Sequence, residues 1–145
     1  MNYMQGIRAF IIAGGAPITA LLDTFSASAA IFARTKPAGY EYSTLPAVLI
    51  RRATMMDDIS PFSGRSRSDA LVSLSIYGRL PMNSNDDSAI NAAAMAIRDR
   101  FRGARFADDD GINYQATVTG PIAAPVDDPL LMAGEIIQLR LNVGA

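Results

Sequence analysis

Three stretches of this chain alternate apolar and polar residues with a period of two, and that pattern limits the fold more than any other feature. In residues 70–77, Val72, Leu74 and Ile76 alternate with Leu71, Ser73, Ser75 and Tyr77. In residues 112–119, Ile112, Tyr114, Ala116 and Val118 alternate with Asn113, Gln115, Thr117 and Thr119. In residues 135–143, Ile137, Leu139, Leu141 and Val143 alternate with Gln138, Arg140 and Asn142. Successive side chains of a strand point to opposite sides, so each run is a strand with one apolar face. Strands of this kind need one shared sheet and a layer of other elements over the apolar side.

The helical signals supply that layer. After the first run, Pro81 stops the strand and Asn83-Ser84-Asn85 carries turn chemistry. Ser84 is placed to cap a helix, with Asp87 in capping-box position and Asp86 adding charge to the first turn. Ile90, Ala94, Ile97 and Phe101 recur at helical spacing, Arg98, Arg100 and Arg102 crowd the last turn, and Gly103 ends it. Near the start, Tyr3, Ile7, Phe10 and Ile11 mark an amphipathic helix over residues 2–13. A second helix over 17–25 opens on Pro17 and buries Ile18, Leu21, Leu22 and Phe25. The first thirty residues imitate a secretory signal, with Arg8, an apolar stretch and Ala27-Ser28-Ala29 as cleavage site. Pro17, Gly14-Gly15 and the amphipathic spacing favour the two helices instead. No clean apolar run of about 18 or more residues is present, so no membrane span is expected.

The remaining segments fill in the sheet. Ile31-Phe32 reads as a short strand or extended piece, 34–44 as a loop, and 45–52 as a strand with Pro46 near its start. Residues 53–67 are long for a turn and extend a hairpin to the strand at Ala70. Residues 105–110 read as an acidic loop, and 120–133, with three prolines, as a long loop with apolar tips. The expectation is a single α+β domain over 1–145. Its mostly antiparallel sheet has about four to five strands, with helices on one face. The other face is semi-polar and free to meet solvent, a neighbouring subunit or a lumen.

Composition removes much chemistry. The chain has no cysteine and no histidine, so disulfides, thiolate metal sites and Ser-His or Cys-His mechanisms are absent. A net charge of −1 lacks the footprint of a nucleic-acid binder. Lys36 is the lone lysine among 13 basic residues, a bias attributable to a GC-rich genome, though arginine also suits interface ion pairs. Hydrophobic residues reach 50% and charged residues only 19%, which leaves apolar area beyond what a small core absorbs. A subunit interface is the expected sink.

The acidic clusters Asp57-Asp58, Asp86-Asp87, Asp108-Asp109-Asp110 and Asp127-Asp128 are the obvious site candidates. Asp108-x-Asp110-Gly111 hints at a calcium loop, but Thr119 stands where an EF-hand needs its glutamate. The clusters read as solvated turn aspartates. Gly14-Gly15 and Gly103 fit helix termination, not phosphate binding. Arg51-Arg52 with Arg65 and Arg67 form a basic spot if the hairpin is real. Met55, Met56, Ile59 and Phe62 either fold onto the core or make an adaptable contact surface, and the spare apolar area favours contact. The expected oligomer or partner interface is therefore Met55, Met56, Ile59, Phe62, Arg65 and Arg67, with no catalytic, cofactor or metal site.

The arrangement resembles the small tail-terminator (tail-completion) proteins of long-tailed bacteriophages and gene transfer agents. The matching pieces are the opening helix pair, Ile31-Phe32 before a proline-containing loop, and Leu45-Pro46-Ala47-Val48 leading into a strand. Next come the strand ending in Tyr77-Gly78 and the helix closed by Arg102-Gly103. Residues 120–133 are longer and richer in proline than the pattern. The resemblance implies a virion structural protein with no enzyme activity, assembled in the host cytoplasm. Such proteins form a ring, usually a homohexamer, on the head-proximal end of the tail tube. The ring ends tube growth and offers a head-tail joining surface. Expected partners are other copies of the chain, the tail tube protein and the head-tail connector or head-closure protein. DNA passes through the lumen without specific binding, which a near-neutral to acidic charge suits. The alternatives are a head-closure or minor tail protein of the same particle, a small carboxylate-based enzyme, and a secreted binding module.

Overall fold

Residues at every second position of the central strands face one side of a six-stranded sheet, and two helices close over them. The structure, a computed structural model, describes residues 3–59, 66–81, 85–124 and 132–143, and the backbone alone of 52–59 and 66–69. Its elements are α1 (Tyr3–Ala13), α2 (Ala16–Thr19), β1 (Thr24–Phe25), β2 (Ser28–Ala29), β3 (Ile31–Ala33), β4 (Ala47–Ile59) and β5 (Ser66–Arg79). They continue as α3 (Ser88–Phe101), β6 (Arg105–Ala107), β7 (Asn113–Ala123) and β8 (Met132–Val143). The sheet order is β3-β4-β5-β8-β7-β6, and β1 pairs with β2 in a separate two-stranded sheet. The β3–β4 pair is parallel and every other neighbouring pair is antiparallel. The expected α+β class holds, with six strands in place of four to five.

The register explains the core. Ile50, Leu74 and Ile137 lie side by side, as do Val72, Leu139 and Val118, and Ala70, Leu141 and Ala116. These rows face Ile7 and Ile11 of α1 and Ile90, Ala94, Ile97 and Phe101 of α3 in one cluster. Burying each such aliphatic side chain is worth roughly 1.5–3 kcal/mol. At one end of this core, Phe10, Phe106 and Tyr114 stack with centroids 5.3 Å apart at each step. The Arg100 guanidinium lies 3.8 Å from the Phe10 ring centroid. Its Nε also donates to the Phe10 carbonyl at 3.1 Å, tying α3 to α1.

Several boundaries differ from the sequence reading, each for a visible reason. The second helix stops at Thr19, and Phe25 belongs to β1. Asp23 draws the chain away from the helix: its N–H donates to the Pro46 carbonyl and its own carbonyl accepts from Ala30 N–H. The stretch 53–67 contributes strand at both ends, because β4 and β5 pair out to Ile59↔Ser66. Residues 105–107 form β6, not loop. Residues 120–123 continue β7 through a register shift between Thr119 and Ile122, and the Gly120–Pro121 bond is cis. The α3 helix starts at Ser88 without a side-chain bond from Asp87, and the cap is supplied by Asp86, whose Oδ1 accepts from Ser88 N–H at 2.9 Å. Ser84 lies outside the described residues. At the other end Gly103 takes φ +63°, the left-handed conformation that a helix stop requires and glycine adopts freely.

Candidate assembly surfaces

The longest antiparallel ribbon in the molecule joins β4 to β5. Inside the sheet β5 pairs with β8 from Asp69 to Arg79, so among the described residues the β4–β5 pairs beyond Asp69 have only each other. Four of the six predicted contact residues fall along this ribbon. Met55 stands opposite Ala70, Met56 opposite Asp69, Ile59 opposite Ser66 and Arg67 opposite Asp58. The side chains of these four, and Phe62 and Arg65 entirely, lie outside the described residues. Of the predicted basic spot, Arg51 is exposed on β4 opposite Ser73, Arg67 stands seven residues farther along opposite Asp58, and Arg65 lies outside the described residues. Arg51 also lines a cleft of about 340 Å³ with Tyr3, Met4 and Arg34.

The sheet face turned away from the helices has two parts. Over β3 and β4 it carries a small core of Ala30, Tyr40 and Ala47, packed by Phe25, Phe32 and Tyr42. Edge-on ring contacts run from Phe32 to Tyr40 at 5.0 Å, Tyr40 to Tyr42 at 5.5 Å and Tyr42 to Tyr77 at 6.2 Å. Tyr77 crosses to Gly134 on β8, where a Cβ would strike its ring, so this packing requires glycine. Asp23 organises the cluster: Oδ2 accepts from Tyr40 Oη at 2.9 Å and Ser43 Oγ at 3.0 Å. Burial, then Asp23, holds the Tyr40 hydroxyl well above the ordinary phenol range, and burial likewise raises Tyr42. Farther across, the face becomes polar, with Arg51, Ser73, Gln138 and Thr119 in one row. Among the described residues the exposed large apolar side chains are Leu45 and Ile122, 43% and 57% accessible, and Ile122 sits on β7.

The acidic clusters do not share one fate. Asp108 is buried, which corrects its reading as a solvated turn residue. Its Oδ1 accepts from Asp110 N–H at 2.9 Å and Ile112 N–H at 3.0 Å, and its Oδ2 accepts from Tyr114 Oη at 2.7 Å. Burial, then Asp108, pushes the Tyr114 hydroxyl above the ordinary phenol range. The carboxylate thus knots the β6–β7 turn to the core. The Asp-x-Asp-Gly spacing was the available signal, since an aspartate that bonds its own turn two residues on fits that pattern. Asp86 caps α3, and accepting the Ser88 N–H holds its carboxyl below the usual carboxylate pKa. Asp57 and Asp58 sit on β4, and Asp127-Asp128 lie outside the described residues. Among the described residues no three acidic side chains gather where a metal ion would fit. The geometry therefore offers surfaces, edges and a ribbon for assembly.

In fold, the chain is similar to one in the virion of a native gene transfer agent particle, with a TM-score of 0.73. The alignment spans 98% of this chain and 94% of that one, at 17% sequence identity. No protein-family model matches the sequence, and no curated protein does. At that identity the likeness is one of fold, and it runs from end to end.

Proposed function

We propose that this chain is a structural protein of a phage-like virion, with no enzyme activity, and that within the particle it is the tail terminator. In this role it forms a ring on the head-proximal end of the tail tube, ends tube growth and presents the surface that the head connector accepts. The observation that carries the reading is the end-to-end fold likeness to a gene transfer agent virion chain. Three features support it. The chain lacks histidine and cysteine. Its charged fraction of 19% leaves apolar surface for interfaces. Its β4–β5 ribbon projects past the sheet, carrying Met55, Met56, Ile59 and Arg67 as proposed contacts, with Phe62 and Arg65 beyond its described part.

The test is removal of the chain from the producing cell, followed by electron microscopy of the particles. The expected result is tail tubes of uncontrolled length without heads, and density for the chain at the junction in complete particles. Headless tails of normal length would favour a head-closure role, and normal particles would overturn both.

A further inference from the structure

The two outer edges of the sheet are notched at opposite corners. On one edge β3 covers only Val48–Ile50 of β4. Residues 51–59 of β4 have no strand on their outer side among the described residues. On the other edge β6 covers only Asn113–Gln115 of β7, and Ala116 N–H donates to the Ala104 carbonyl beyond it. Residues 117–123 of β7 have no outer strand among the described residues. Following the register across the sheet, β3 occupies the rows of Ile76–Leu74 and Glu135–Ile137, whereas β6 occupies those of Asn142 and Val143. The notches are therefore diagonal. Three antiparallel steps separate β4 from β7, so these strands run in opposite directions.

We propose that residues 51–59 of β4 pair antiparallel with residues 117–123 of β7 in a second copy of this chain, joining the sheets of neighbouring subunits. This rests on the ring reading above and names the joint within it. A copy moved sideways without being turned over presents β7 to β4 with the required polarity. The notches then fit as a lap joint. One subunit's β3 continues the line of its neighbour's β7, and that neighbour's β6 continues the line of β4. Arg52 comes opposite Ala123 of the partner subunit and Asp58 opposite Thr117 of the partner subunit.

This fit fixes a stagger of four rows per subunit across the four long strands β4, β5, β8 and β7. At ~3.3–3.4 Å per row and ~4.7–4.9 Å per strand, the stagger tilts the strands by roughly 35°, in keeping with the ~35–45° that closed barrels need. The tilt does not depend on the number of subunits. The register shifts at Arg52/Thr54 and Thr119/Ile122 lie in the joining edges, where bulges curve a sheet toward closure. Because the two edges differ, the joint is head-to-tail, the kind that closes into rings.

The test uses proline to remove an outward amide from one edge at a time. Val48 N–H donates outward to Ala30, so alternation turns the Arg52 amide outward, and Ala116 sets the same direction for Val118. Both positions are on edges, where proline is tolerated. Wild-type protein is expected to form closed rings in native mass spectrometry, while Arg52→Pro and Val118→Pro each remain monomeric. An equimolar mixture of the two variants should stop at heterodimers, because one good joint remains. Hydrogen exchange of wild type supplies a second readout: assembly should slow residues 51–59 and 117–123 together by about tenfold or more. Rings that persist in both variants, a mixture without heterodimers, or exchange unchanged on assembly would overturn the joint. So would wild type that stays monomeric at millimolar concentration. If the variants fail to fold, the exchange result decides. Pairing through these edges by a chain that particles carry somewhere other than the tail end would instead sink the functional reading alone.

Discussion

The two faces of the sheet are built from the same strands and do different work. Under the helices, Leu74, Ile137, Leu139 and Leu141 are fully buried, and the buried aspartate drawn in there, Asp108, has several donors. On the opposite face, the aromatic group around Tyr40 is packed together and Leu49 and Ser75 are buried, while Ser73, Gln138 and Thr119 form a polar row. Stability is concentrated on one side, which leaves the other side and the two outer edges free for contacts outside the chain.

That contrast can be broken in steps. The largest effect is expected from Leu74→Ala, which empties a fully buried site and should cost about 2–5 kcal/mol, while Gln138→Ala in the next strand should stay within about 0.5 kcal/mol. Urea unfolding of the two variants gives the comparison directly. The next step sets one tyrosine of each face against the other. Tyr114→Phe strips Asp108 Oδ2 of a donor in a buried setting, at about 1–3 kcal/mol. Tyr40→Phe should cost less than about 1 kcal/mol, because Ser43 still donates to the same Asp23 oxygen. Equal losses would mean that the aromatic face holds the fold together as strongly as the helical one.

The smallest effect is alkaline. Folding raises the pKa values of Tyr40, Tyr42 and Tyr114. Both states hold the proton below the unfolded value, so the contribution is intact there. Above about pH 10 the unfolded chain loses these protons first, and stability falls as pH climbs toward the folded values. Phenolate absorbance followed beside circular dichroism should show these three rings ionising only as the fold is lost. Early ionisation of Tyr40 and Tyr42 with Tyr114 still silent would show the outer face opening by itself.

Much of this is legible in the chain because alternation is a local signal. Val72-x-Leu74-x-Ile76 and Ile137-x-Leu139-x-Leu141 announce both their strands and their buried sides. The helix stopped by Gly103 is equally plain. Other features depend on partners far away in sequence. Nothing near Leu21 shows that Asp23 will bond Pro46, so local spacing carries the second helix too far. The strand character of 120–123 comes from Ile136 and Glu135 across β8, against the local message of Gly120-Pro121. Asp108 is buried because Tyr114 reaches it from the next strand. The diagonal notches are a property of register, which no single segment carries. The proposed contact residues from Met55 to Arg67 stand out by apolarity and charge alone, and the structure adds the ribbon on which four of them are carried.

The position of β8 also bears on how the protein is made. Residues 132–143 lie between β5 and β7, yet they leave the ribosome after both. Until they emerge, the β4–β5 hairpin and the α3–β6–β7 unit are two unfinished pieces, each offering a bare inner strand. The earliest helix waits as well, since Phe10 is held by Arg100 and Phe106. Nascent chains that stall before β8 expose four strand edges instead of two, and sticky intermediates of this kind are what cellular chaperones capture. Residues 132–143 are therefore the strand that joins the two pieces into one sheet.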